Sequence, residues 1–150
     1  MEKVIDCFDN EYAFLSNFYE HPIKINGVTY KTAEHAFQAM KATNKADHDL
    51  IVNAQTPGQA KRLGKKIQLR ADWEDIKYIV MQDILRVKFA SPELGQMLMA
   101  TGDATLIEGN DWHDNIWGNC TCPRCADKVG KNWLGNILMG VRQDLIQLSP

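Results

Sequence analysis

The sequence predicts an α+β fold, mostly α-helical with a small β-sheet, and three observations carry that expectation. Apolar residues recur at three- and four-residue steps over several stretches, an Asn-Gly pair interrupts one short alternating run, and the irregular sequence is concentrated in residues 109–131. The 150 residues are 45% apolar and 24% charged, with no internal repeat, low-complexity tract or Pro/Ser linker, so a single domain over 1–150 is expected. A chain of this size can bury roughly 68–70% of its unfolded surface, so it needs neither disulfides nor metal for stability.

The elements follow in order. Ile23 to Tyr30 alternates about Asn26-Gly27, and a type I′ turn needs positive φ at both central positions, which Asn and Gly tolerate best. Thr32 is a candidate cap for a helix reaching about Ala42, with Ala33, Ala36, Phe37 and Met40 at core spacing. Helical periodicity returns over Asp47–Ala54, and Pro57 suits the first position of a helix carrying Lys61, Arg62, Lys65 and Lys66. After Trp73, the spacing of Ile76, Ile79, Val80, Ile84 and Val87 predicts a helix through about Phe89, and Ser91-Pro92 starts a shorter one to about Ala100. A strand is expected at Thr105–Glu108. Leu134, Ile137, Leu138, Val141, Leu145 and Leu148 define a closing amphipathic helix. Residues 109–131 are too long for an idle connection.

Charge and cysteines narrow the function. Seventeen Lys+Arg against nineteen Asp+Glu give a net charge of −2, which excludes whole-surface attraction to nucleic acid or acidic membranes. With no bilayer-length apolar run and no signal-like start at Met1–Asp6, a cytoplasmic protein without a membrane partner is expected. Cys7 stands apart, whereas Cys120, Cys122 and Cys125 form Cys-x-Cys-x-x-Cys; reduced thiols and no resident cofactor are the expectation. Zinc on these three thiols is the alternative, and it lacks a fourth ligand unless His113 or Cys7 folds in. No Gly-x-Gly-x-x-Gly or Walker loop is present, and His21, His48 and His113 form no nucleophilic triad.

The helix from Thr32 holds the most chemistry. Glu34, Gln38 and Lys41 share a stripe beside the apolar sector, with Glu34 and Lys41 separated by about 10 Å along the axis, enough to flank a small ligand. The same residues also read as helix grammar, an acid in the first turn, a base in the last and a solvated Gln38 between them. Of four tryptophans, Trp117 before Gly118 is the best candidate for a flat ligand wall, with Asp114 adding a carboxylate to its loop; core packing is the common use of tryptophan. The pairs Lys61/Lys65 and Arg62/Lys66 read as a solvated face or as phosphate ligands.

Together, Phe14-Leu15-Ser16-Asn17-Phe18, the Glu34-His35-Ala36-Phe37-Gln38-Ala39-Met40-Lys41 helix, Trp73, Lys88-Phe89, Trp117-Gly118 and Gly130-Lys131-Asn132-Trp133-Leu134-Gly135 resemble the NADAR family across nearly the whole chain. The resemblance implies an N-glycosidase that hydrolyses a ribose C1′–N bond. The implied substrates are ribosylamino-pyrimidine phosphates of riboflavin synthesis or ADP-ribosylated guanine, so the expected partner is a phosphorylated ribosyl small molecule or an ADP-ribosylated nucleic acid. By position it implies Glu34 and Lys41 as a catalytic pair, Asp114 as the loop acid, and Asn17, Gln38, Trp73, Lys88, Trp117, Gly118 and Asn132 around the substrate. The Cys-x-Cys-x-x-Cys segment departs from the family's shorter Gly-rich loop. The residue types suit the reaction, because an anionic Glu34 would stabilise an oxocarbenium-like sugar and an uncharged Lys41 could capture the ring-opened imine. A non-catalytic ADP-ribose- or nucleotide-binding module is the competing reading.

Overall fold

The structure, a computed structural model, describes residues 3–149; the first two positions and the last of the expected 1–150 span lie outside the described residues. It is α+β, with six helices and three two-stranded sheets among the described residues. The chain divides into two compact units, Asn17–Lys88 and the segments on either side of it.

The 17–88 unit begins with the expected hairpin, β2 (Ile23–Ile25) pairing antiparallel with β3 (Val28–Tyr30). Asn26 and Gly27 at the turn have φ of 52° and 82°, as a type I′ turn requires. Helix α1 (Ala33–Ala39) packs on α2 (Lys45–Val52) and α3 (Pro57–Gly64). Three caps of one kind set these helices. Thr32, Asn44 and Thr56 each accept the backbone N–H of the residue three positions on, and Pro57 occupies the first turn of α3. Long helix α4 (Trp73–Phe89) completes the unit.

In the other unit, β1 (Val4–Ile5) pairs in parallel with β4 (Thr105–Leu106), and a 3₁₀ turn spans Asn10–Leu15. Helix α5 (Pro92–Met99) packs on α6 (Trp133–Leu148), whose inner face also meets β4. Phe14, Phe89, Leu94, Leu98, Leu106, Leu134, Ile137 and Leu138 are buried here. Strands β5 (Gly109–Asn110) and β6 (Asn119–Cys120) pair in parallel within the long segment, followed by a 3₁₀ turn at Pro123–Cys125. No described helix is long and apolar enough to cross a membrane.

Four expectations need correction. Helix α1 stops at Ala39, with Met40 as its C-cap, because Lys41 and Ala42 bond to carbonyls three residues back and tighten the chain out of the α-helix. Ala42 then bridges to Leu69. Helix α3 likewise stops at Gly64, so Lys65 and Lys66 do not continue a helical charge stripe. The expected strand at Thr105–Glu108 shrinks to two residues, and neither β1 nor the 3₁₀ turn at Asn10–Leu15 was signalled. On α4 the buried row is Met81, Ile84, Leu85 and Lys88, whereas Ile79 and Val87 are exposed. A lysine thus occupies a position that periodicity assigns to an apolar residue.

Candidate active site

The 17–88 unit brings six of the ten expected site residues into it: Asn17, Glu34, Gln38, Lys41, Trp73 and Lys88. Helix α1 is short but buried along its whole length, and its start is fixed from two directions. Thr32 Oγ1 accepts the His35 N–H and lies 2.8 Å from His35 Nδ1. The far ring nitrogen of His35 meets the Ala54 carbonyl at 2.9 Å. Burial holds this imidazole below the ordinary histidine range, so His35, fully enclosed, is a neutral brace. The Glu34 N–H donates to the Asn17 carbonyl, which ties the preceding segment to the first turn of α1.

Glu34 and Gln38 are 8% and 4% exposed, which overturns the reading of Gln38 as a solvated surface residue. Gln38 Nε2 donates to Glu34 Oε2 at 3.3 Å. That bond fixes the amide orientation, since the oxygen end facing a carboxylate would be repulsive. Gln38 Oε1 is left buried with no partner, as is Asn17 Oδ1, while Asn17 Nδ2 donates to Met81 Sδ at 3.4 Å. Two orphaned acceptor oxygens are costly in a folded protein unless a water or a ligand's hydroxyl or amine satisfies them. Gly64 makes room for one of them: a Cβ there would collide with Gln38 Oε1 and stand 2.8 Å from its Cδ.

Lys41 lies just past the end of α1, its carbonyl accepting the Arg70 N–H at 2.9 Å. Its Nζ rests 5.8 Å from the Phe37 ring centroid and 6.0 Å from that of Trp73, and the two rings pack 5.0 Å apart. Trp73 is therefore a buried wall behind the lysine. Burial pulls the Lys41 amine below the ordinary lysine range; the Glu34 charge works in the opposite direction, and Lys65 and Lys77 reinforce the lowering. Lys88, 1% exposed, has its Nζ 5.7 Å from the Tyr19 ring centroid, and burial lowers it to about 7.

The remaining expected residues, Asp114, Trp117, Gly118 and Asn132, lie in the other unit, where asparagines organise the loop. Asp114 Oδ1 accepts the N–H groups of Ile116 and Trp117 at 3.1 and 2.9 Å, a turn-forming use of this carboxylate. Trp117 packs edge-on against Trp133 at 5.4 Å. The close approach that Gly118 permits is to protein, because a Cβ would collide with the Glu108 carbonyl. Asn132, at a φ of 52°, accepts the Glu108 N–H and donates to the Leu106 carbonyl. Sequence reasoning missed Asn110, a buried hub that donates to the Asp114 carbonyl and Glu108 Oε2 and accepts from Trp112 and Asp114. Only the asparagine density of the segment signalled it. Among the residues able to hold a metal, His113 joins the three clustered cysteines, whereas Cys7 is exposed and bonds the Asp9 carboxylate.

The NADAR domain family model matches residues 6–146. N-glycosidase YbiA of Escherichia coli (strain K12) is 37% identical over 139 residues, which are 91% of this chain and 83% of that protein. N-glycosidase Npun_R5314 of Nostoc punctiforme is 37% identical over 143 residues, 91% and 88% of the respective chains. The riboflavin biosynthesis protein VVA0006 of Vibrio vulnificus is 37% identical over 145 residues, but this chain spans only 38% of its length. The NMR structure of E. coli YbiA superposes with a TM-score of 0.83 at 36% identity, covering 98% of this chain and 88% of that one. The chain belongs to the NADAR family, as its motifs anticipated, and the α+β fold is that of YbiA.

Proposed function

We propose that this chain hydrolyses the bond between ribose C1′ and an amine nitrogen in a phosphorylated ribosylamine. The enzyme class, an N-glycosidase-type hydrolase, follows from the NADAR family and its YbiA relatives. The substrate is either a ribosylamino-pyrimidine phosphate or ADP-ribose on guanine; relatives named as riboflavin biosynthesis proteins in V. vulnificus and Zea mays favour the first.

One observation carries the reading: a buried carboxylate held by Gln38, a desolvated lysine that feels its charge, and two orphaned acceptor oxygens belong to one unit. As the C1′–N bond breaks, its electron pair stays with the departing nitrogen and positive charge builds on C1′ and the ring oxygen. Glu34 stabilises that charge and takes a proton from the attacking water, whose oxygen becomes the C1′ hydroxyl; that proton passes to the departing nitrogen, which leaves as the neutral amine. Gln38 Oε1 and Asn17 Oδ1 suit ribose hydroxyl donors. Lys41, where uncharged, can instead attack C1′ of the ring-opened imine, expel the amine, and yield the sugar when water cleaves the new Schiff base. Lys88, when charged, suits the substrate phosphate.

Incubating the protein with each substrate class and resolving products by mass tests the proposal. The expected result is free base and ribosyl phosphate, or ADP-ribose, from one of them. Tight calorimetric binding without base release from either would overturn it in favour of a binding module.

A further inference from the structure

We propose that His113, Cys120, Cys122 and Cys125 form a structural zinc site, which goes beyond the glycosidase reading and does not rest on it. The four candidate ligand atoms all lie within 4.8 Å of one another. His113 Nδ1 stands 3.9, 3.3 and 3.4 Å from the sulfurs of Cys120, Cys122 and Cys125. In a tetrahedron with Zn–N of about 2.0–2.1 Å and Zn–S of about 2.3 Å, each N···S edge is about 3.6 Å, the centre of that spread. Hydrogen bonds to the imidazole do not account for all three of its sulfur contacts, because one imidazole nitrogen offers a single proton or a single lone pair to three sulfurs.

Local structure builds the cluster from three places. The Cys125 N–H donates to the Cys122 carbonyl across the 3₁₀ turn, a knuckle that turns both thiols the same way. Cys120 ends β6, with its N–H held by Asn115 Oδ1. His113 adopts a φ of 70°, an uncommon conformation for a residue with a Cβ. Three thiolates and an imidazole are a soft to borderline donor set that selects zinc over magnesium or calcium, and four protein ligands leave no open position for catalysis. The metal would fasten both ends of the 113–125 segment, which carries Asp114, Trp117 and Gly118 and leaves Ile116 42% exposed.

Metal analysis of the full chain after expression with zinc and exhaustive dialysis is the test, followed by cobalt substitution. One zinc per chain, a cobalt form with the d–d and thiolate charge-transfer bands of a tetrahedral site, and a chelator-induced fall in Tm are expected. His113→Ala should weaken zinc retention at least about tenfold and His113→Cys should restore it, since four thiolates also satisfy the tetrahedron. Wild-type protein that holds no zinc and gives no tetrahedral cobalt spectrum overturns the proposal whatever the variants do, as does iron in place of zinc.

Discussion

Gln38 Nε2 donates to Glu34 Oε2 at 3.3 Å from one turn further along the same buried helix, leaving the other end of the carboxamide without a protein partner. The pair turns helix geometry into a charged, oriented site. It also makes the neighbouring lysine's protonation depend on the carboxylate.

Because Glu34 opposes the lowering of the Lys41 amine, Glu34→Gln should lower it further. Reductive ¹³C-methylation followed by NMR titration of the modified lysine reads this directly. A downward shift is expected; a titration unchanged or moved upward would mean that the carboxylate does not act on Lys41.

Borohydride added during turnover distinguishes the two chemical routes. A lysine desolvated against Phe37 and Trp73 is suited to Schiff-base formation, so a reduced sugar adduct on Lys41 is expected, and Lys41→Arg should abolish it because a guanidinium stays protonated. Active turnover with no adduct would assign the hydrolysis to direct attack by water.

Gly64→Ala should cost activity through Gln38. The new methyl group displaces the carboxamide, and kcat/KM should fall at least about tenfold while the overpacking lowers Tm and the protein stays folded at the assay temperature, whereas Gly58→Ala, whose nearest neighbour would be 3.6 Å away, should be silent. Equal effects of the two changes on kcat/KM would remove Gln38 orientation as the cause.

Lys88 links stability to pH. Its folded value of about 7 lies below the unfolded 10.5, so between those values the unfolded chain binds more protons and stability rises with pH. Below about pH 7 both states are protonated and the full burial penalty applies. Urea titrations should show a flatter pH dependence for Lys88→Met than for wild type, the difference in slope being at most about 1.4 kcal/mol per pH unit. Parallel slopes for the two proteins would contradict this account of Lys88.

What the sequence revealed depended on how local the signal was. The hairpin at Asn26-Gly27 and the start of α3 at Pro57 were legible because turn and cap chemistry resides in the residues themselves. The early end of α1 at Ala39 was not, since the Lys41 carbonyl bond to Arg70 and the Ala42 bridge to Leu69 are tertiary. Glu34, Gln38 and Lys41 were found by spacing and resemblance, yet periodicity allowed a solvated Gln38, and only burial against Gly64 decided otherwise. Asn110 escaped notice because a hub of hydrogen bonds leaves no periodic trace.

The most direct test of the central claim is the rate of base release by Glu34→Gln, a change that preserves shape and removes the charge. With the fold and Tm retained, loss of the buried negative charge should lower kcat about 10²–10³-fold on whichever ribosylamine the wild type hydrolyses. Release at the wild-type rate would show that the cleavage does not depend on this carboxylate.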